Sequence, residues 1–105
     1  MSRAEALRAF IATHPNDPFP RYALAMEYKN GGRLEEARET FEALMAAHPG
    51  YTPAYLHHGN TLIALGRVDD ARAVYRLGID ACGPAGDAHA RGELEGALAS
   101  LPAAE

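Results

Sequence analysis

Apolar residues recur along this chain at the three- to four-residue spacing of amphipathic helices, and turn-forming residues interrupt the pattern. The first stripe contains Leu7, Phe10 and Ile11, at positions i, i+3 and i+4. The sequence has no stretch with the strict alternation that predicts a strand. We therefore predict an all-α protein of six helices. The expected breaks lie near Pro15, Gly32, Pro49, Gly66 and Pro84.

Capping residues mark the expected helix ends. Ser2 and Glu5 have the spacing of a capping box, and Asp17-Pro18 is a typical helix start that Thr52-Pro53 repeats. Gly83-Pro84 is expected to close the fifth helix. The predicted helices span about Ser2 to Thr13, Pro18 to Asn30, Leu34 to Ala47, Pro53 to Leu65, Val68 to Cys82 and Asp87 to Leu101.

The chain repeats itself at a spacing of 34 residues. The octamer GRLEEARE that begins at Gly32 returns as GRVDDARA at Gly66, a shift of 34 (66 − 32), and the same shift aligns Phe41 with Tyr75. Such a period indicates a solenoid of helix pairs, each of which needs a neighbour to bury its apolar face. We predict one domain: an N-terminal half-repeat helix (1–17), two repeats (18–51 and 52–85), a capping helix (86–101) and a frayed tail (102–105).

These residues resemble the tetratricopeptide repeat family. The signature positions hold Leu24, Ala25, Tyr28, Ala37, Phe41 and Pro49 in the first repeat, and Gly59, Leu62, Ala71 and Tyr75 in the second. The resemblance implies a right-handed α-solenoid of antiparallel helix pairs with a concave groove, in a short stand-alone protein of bacterial type. His58 stands where the family has leucine. The second repeat therefore departs more from the signature than the first.

Composition and charge exclude several classes of function. The net charge is −4, and a groove that binds many phosphates needs a basic stripe that this sequence lacks. One cysteine allows no internal disulfide, and no apolar run approaches the ~20 residues that cross a bilayer. The segment Met1–Glu5 lacks the pattern of a signal peptide. We expect a cytoplasmic protein that binds neither nucleic acid nor membranes.

Candidate catalytic and metal-binding residues fit structural roles better. His57 and His58 are adjacent and point about 100° apart on a helix, and no H-x-x-x-H spacing occurs. The acidic pairs Glu35-Glu36 and Asp69-Asp70 recur with the repeat and open helices, where negative charge complements the dipole. Cys82 is expected to be a small apolar filler. We predict no enzymatic activity, no cofactor and no metal; a small enzyme or metal-binding protein is the alternative.

The resemblance implies a peptide-binding groove on the first helix of each pair. The groove positions are Phe19, Tyr22, Met26, Lys29, Asn30, Leu56, His57, Asn60, Ile63 and Arg91. Tyr22 offers a rigid amphipathic ring, and Asn60 offers an amide that can hold an extended backbone. The alternative for several of these residues is packing against each other or under the sixth helix.

The kind of partner follows from the chemistry of these positions. One branch of the family binds acidic tails through a carboxylate clamp, of which Asn60 and Arg91 match two positions; Tyr22, Met26 and Asp87 do not match the others. We therefore expect an apolar peptide or helix of an unidentified protein partner. The rival expectation is self-association, such as a homodimer, and it would be favoured by exposure of Leu7, Phe10 or Leu98.

Overall fold

The computed structural model describes residues 2–103 and folds them into six α-helices without a strand. The helices are α1 (Arg3–Thr13), α2 (Pro18–Asn30), α3 (Leu34–Ala47), α4 (Pro53–Ala64), α5 (Val68–Ala85) and α6 (Ala88–Ala99). The predicted all-α class is confirmed. Met1, Ala104 and Glu105 lie outside the described residues. The expected fraying of residues 102–105 therefore stays a prediction.

Two of the three predicted helix caps are confirmed. The Ser2 hydroxyl accepts from the Glu5 N–H at 3.1 Å, and the Asp17 carboxylate accepts from the Phe19 N–H at 3.0 Å. The predicted cap at Thr52 is wrong, because its side chain makes no capping hydrogen bond in α4. The Thr52 hydroxyl instead donates to Asp87 Oδ2 at 2.7 Å, across to the start of α6.

Glycines in the left-handed conformation end α2 and α4 as predicted. Gly32 and Gly66 both have a φ of 78°. The arginine that follows each glycine donates its N–H to the carbonyl five residues back, at 2.8 Å in both cases. This is the Schellman arrangement, which satisfies carbonyls that a helix end leaves free.

The end of α5 differs from the prediction. The helix does not stop at Gly83-Pro84 but continues to Ala85 and closes at Gly86, which has a φ of 66°. A proline in the last turn removes only the bond to the carbonyl four residues earlier, which belongs to the exposed Asp80 and can be hydrated. The helix α6 is also shorter than predicted, because it ends at Ala99 rather than Leu101.

Equivalent residues of the two repeats are buried alike. Ala37 and Ala71 are fully buried, and Phe41 and Tyr75 are buried aromatic side chains, of which Phe41 stacks on His58 of α4. A Cβ atom at Gly59 would overlap the ring of Tyr75. Close approach of α4 and α5 therefore requires glycine at that position.

The stack is tighter on one side than on the other. The helices α2, α4 and α6 contact one another in series, whereas α1, α3 and α5 make no mutual contacts within the described chain. The inner layer of a curved array is the compressed one. The exposed side of α2, α4 and α6 is therefore the concave face, and α1, α3 and α5 form the convex layer.

Candidate functional site: the concave face

The residues predicted for the groove all retain accessible surface. Phe19, Asn30, Asn60 and Arg91 are exposed, and Tyr22, Met26, Lys29, Leu56, His57 and Ile63 are partly buried. The partly buried apolar members pack at the edge of the core. Tyr22 and Met26 contact its N-terminal half, and Leu56 and Ile63 contact its C-terminal half. The concave face is thus an apolar floor with polar side chains along it.

Three aromatic residues and a histidine form a cluster at the junction of α2 and α4. The Tyr22 ring lies 6.4 Å from that of Phe19, 5.5 Å from that of Tyr51 and 5.9 Å from that of His57, measured between centroids. The last two contacts are edge-to-face, a geometry that aromatic rings favour. Burial raises the pKa of both Tyr22 and Tyr51, so both phenols are neutral hydrogen-bonding groups.

Tyr51 belongs to this cluster although sequence reasoning missed it. It lies between α3 and α4, directly after the helix-breaking Pro49-Gly50, in a stretch expected to act only as a turn. Its counterpart 34 residues later is Ala85, so the repeat gives no sign of an aromatic role. The signal that could have indicated this role is an aromatic side chain in a connecting segment.

Asn60 is oriented by a residue of the core. Its Oδ1 accepts a hydrogen bond from the Tyr75 hydroxyl at 2.6 Å. The Asn60 side chain is exposed, so its amide nitrogen, with two hydrogens, is the group left to bind a ligand. Because Tyr75 is a signature residue of the repeat, this hydrogen bond connects the core to the concave face.

Positive charge on the concave face comes from Lys29. It forms no ion pair within residues 2–103. Burial lowers the pKa of His57 and the charge of Lys29 lowers it further, against an opposing effect of Glu93. Arg91, in contrast, pairs with Glu95 at 3.7 Å on the exposed surface of α6.

A cleft of about 230 Å³ lies between α4 and α6. Leu56, Ala90 and Leu94 supply its apolar walls, and Leu94 is fully buried. The polar residues that line it are Thr52, His57, Asp87, His89 and Glu93. The Nδ1 atom of His57 is buried without a hydrogen-bond partner. The Thr52 hydroxyl and the Ala90 N–H lower the pKa of Asp87 by hydrogen bonding to its carboxylate.

Residues with possible chemistry elsewhere have structural surroundings. Burial raises the pKa of Cys82, which favours the unreactive thiol. The described part of the chain holds no group of three histidine, cysteine, aspartate or glutamate side chains that could bind a metal. A more open depression on the convex side is lined by Arg8, Ile11, Arg21, Leu24, Glu39, Thr40 and Ala43.

Sequence and structural comparisons agree with this architecture. Sequence models of the tetratricopeptide repeat match residues 31–81 and 18–43. A crystal structure of a tetratricopeptide repeat domain protein from Salinibacter ruber is 36% identical, with a TM-score of 0.75, and the match covers 79% of this chain and 93% of that one. The chain belongs to the tetratricopeptide repeat family. Proteins of this fold are generally protein-interaction modules and typically have no enzymatic activity.

Two solution structures extend the comparison. That of the Salinibacter ruber domain has 36% identity and a TM-score of 0.76, covering 81% of this chain and 86% of that chain. That of a protein from Bordetella parapertussis has 25% identity and a TM-score of 0.78, covering 94% and 86%. No curated protein matches the chain. Among the described residues of this tetratricopeptide repeat protein, no helix is both long and apolar enough to span a membrane.

Proposed function

We propose that this protein is a non-enzymatic interaction module that binds a peptide or helix of a partner protein on its concave face. The observation that carries the proposal is Phe19, an aromatic side chain 60% exposed on the concave face and adjoining the Tyr22 cluster. Exposed aromatic surface of this kind is typical of peptide-recognition sites.

The polar groups of the concave face suit a peptide backbone. Lys29 and the amide nitrogen of Asn60 are donors without a partner among the described residues, and an extended backbone presents carbonyl acceptors that need donors. The apolar floor beside them would contact side chains of the peptide. Because a groove of three helices buries little area, we expect modest affinity. Binding should persist at moderate salt, since screening acts mainly on exposed ion pairs.

The test is a titration with a partner captured from source cells. We expect the Tyr22→Ala/Asn60→Ala double variant to bind it at least tenfold more weakly than wild type. Because Tyr22 also packs on the core, the single variant Phe19→Ala, at an exposed position, provides a second measurement that spares the fold. Leu77→Ala is the matched control, since Leu77 is 54% exposed on the convex layer and its loss should leave binding unchanged.

Unchanged affinity in folded Phe19→Ala and in the folded double variant would place the partner on another face. Far-UV circular dichroism and urea melts establish that each variant is folded. A tenfold loss in Leu77→Ala, with wild-type binding by Phe19→Ala, would assign the site to the convex layer.

Self-association is the second candidate, and one residue favours it. Phe10 on α1 is 48% exposed and stacks on His14 with 4.0 Å between ring centroids. The other two residues expected to support it do not, because Leu7 and Leu98 are partly buried against the core. Light scattering across a concentration series tests this candidate. A dimer in wild type that dissociates in Phe10→Ser would support it, and a monomer at all concentrations would remove it.

A further inference from the structure

The two junctions between consecutive inner helices differ in their aromatic content. The junction of α2 and α4 contains Phe19, Tyr22 and Tyr51. The counterparts of these three residues, 34 positions later, are Pro53, Leu56 and Ala85. The second junction, between α4 and α6, therefore lacks all three aromatic rings of the first.

Open space remains beside two of these three positions. The cleft of about 230 Å³ lies at this second junction, and Pro53 and Leu56 line it. Its far wall is fixed, because Leu94 is fully buried and its Cδ1 lies 2.8 Å from where a Cβ at Gly78 would be. Pockets for drug-sized ligands measure roughly 300–1,000 Å³. A cleft below that range suits a single large side chain.

The polar groups around the cleft are mainly hydrogen-bond acceptors. The Asp87 carboxylate is held by the Thr52 hydroxyl at 2.7 Å and by the Ala90 N–H at 3.0 Å, and a carboxylate has further lone pairs. The Glu93 carboxylate, a second acceptor, also lines the cleft. Below them the walls are aliphatic. A planar side chain with an apolar body and an N–H or O–H tip would satisfy both regions, as buried tryptophan and tyrosine require.

His57 belongs to both junctions. Tyr22 packs its ring edge-to-face against His57 at the first junction, with 5.9 Å between centroids, and His57 also lines the cleft at the second junction. We propose that the cleft between α4 and α6 is a binding subsite for a tryptophan or tyrosine side chain of the partner peptide. The proposal rests on the proposed function, because it names the residue that anchors the peptide on the concave face.

An arginine or lysine anchor fits the cleft less well. The charge of Lys29 acts on His57 and would repel a second cation entering beside it. Two carboxylates line the cleft; Glu93 lies 3.3 Å from His89 Nε2, and Asp87 already accepts hydrogen bonds from Thr52 and Ala90. A leucine anchor would fill the aliphatic part and offer no donor to the remaining lone pairs of the Asp87 carboxylate.

The absence of tryptophan from this sequence allows a direct test. N-acetyl-tryptophanamide is titrated into the full chain, and binding is followed by indole fluorescence and by backbone amide shifts in NMR spectra. We expect a Kd on the order of 1 mM, with shifts centred on Leu56, His57 and Ala90. N-acetyl-tyrosinamide should bind similarly. N-acetyl-leucinamide and N-acetyl-argininamide should bind at least tenfold more weakly.

Two variants locate the probe. Leu56→Tyr restores an aromatic ring of the first junction, fills the cleft and should reduce tryptophanamide binding at least tenfold. Leu77→Tyr makes the same exchange at an exposed position of α5 and should bind as wild type does. Since Leu56→Tyr could disturb packing, Ala90→Leu is a second filling variant, and both are compared by urea melts. Wild-type probe binding by both filling variants, or tighter binding of argininamide, would overturn the subsite.

The same variants separate this inference from the proposed function. If tryptophanamide does not bind but the captured partner is lost in Phe19→Ala, the subsite is wrong and the function stands. The opposite result is that tryptophanamide binds in the cleft, while the captured partner binds Phe19→Ala, the double variant and Leu56→Tyr with wild-type affinity. The proposed function is then wrong. The cleft then binds small aromatic molecules independently of that partner.

Discussion

Acidification from pH 7 to pH 5 should destabilise this protein through one buried histidine. His58 is only 3% exposed and stacks on Phe41 with 5.7 Å between ring centroids. Its Nδ1 lies 2.9 Å from the sulfur of Met45, and its Nε2 is buried without a partner. Burial lowers the pKa of His58 to about 4, while the nearby charges of Glu42 and two arginines act in opposite directions.

The sign and size follow from proton linkage. An unfolded histidine has a pKa of about 6.5, so below that pH the unfolded chain binds a proton that the folded protein does not accept. The stability lost between pH 7 and pH 5 is then about 2 kcal/mol, and the loss levels off at about 3 kcal/mol below pH 4. Stability is retained above pH 7, where both states are neutral.

The assay is urea unfolding of wild type and His58→Leu at pH 7, 6 and 5. Leucine is a suitable replacement because Leu24, the counterpart of His58 one repeat earlier, is also buried. The variant should lose most of the pH dependence; some dependence remains from His57, whose pKa burial also lowers. His89→Gln, at an exposed histidine, should keep the wild-type dependence. Equal loss of stability on acidification in wild type and His58→Leu would refute the reasoning.

Three further predictions concern packing and capping, all measured by urea unfolding. Gly59→Ala should destabilise by about 1–3 kcal/mol because its Cβ overlaps an aromatic ring, whereas Gly92→Ala, which has open space, should stabilise by about 0.5–1 kcal/mol. Ala71→Leu should cost about 1–3 kcal/mol at a fully buried crossing, and the exposed Ala46→Leu should be nearly neutral. Asp87→Ala should lower the free energy of unfolding by removing the cap of α6, with faster hydrogen exchange in α6. Equal effects within either matched pair, or unchanged α6 exchange, would contradict these assignments.

The period of the sequence predicted the scaffold because the scaffold is periodic. Equivalent residues such as Ala37 and Ala71 face equivalent helix crossings, so one repeat predicts the burial seen in the next. The errors lie where neighbouring repeats are not equivalent. Thr52 was expected to cap α4 by analogy with Asp17, but α6 brings Asp87 within 2.7 Å of its hydroxyl. No local pattern contains that tertiary contact.

The candidate site was predictable to the extent that it lies on single helices. The family resemblance placed Phe19 and Asn60 on the groove helices, and both side chains are exposed, whereas Tyr51 and the cleft depend on how two helices and their connections meet. The orientation of Asn60 by Tyr75 likewise joins two helices at 2.6 Å. Which polar atoms remain free for a ligand is therefore a property of the packed pair of helices.

Positions that depart from the repeat indicate where the helices leave space unfilled. A position that keeps its signature residue contributes to the same junction in every repeat, as Phe41 and Tyr75 do. A position that loses a large side chain leaves a vacancy when the surrounding helices are held apart by the contacts that both repeats share. Leu56, in place of a second Tyr22, is such a position. Its neighbours His57 and Asp87 give the vacancy polar groups, which an adventitious packing defect in an apolar core would lack. The cleft between α4 and α6 therefore has the size and chemistry of a recognition pocket.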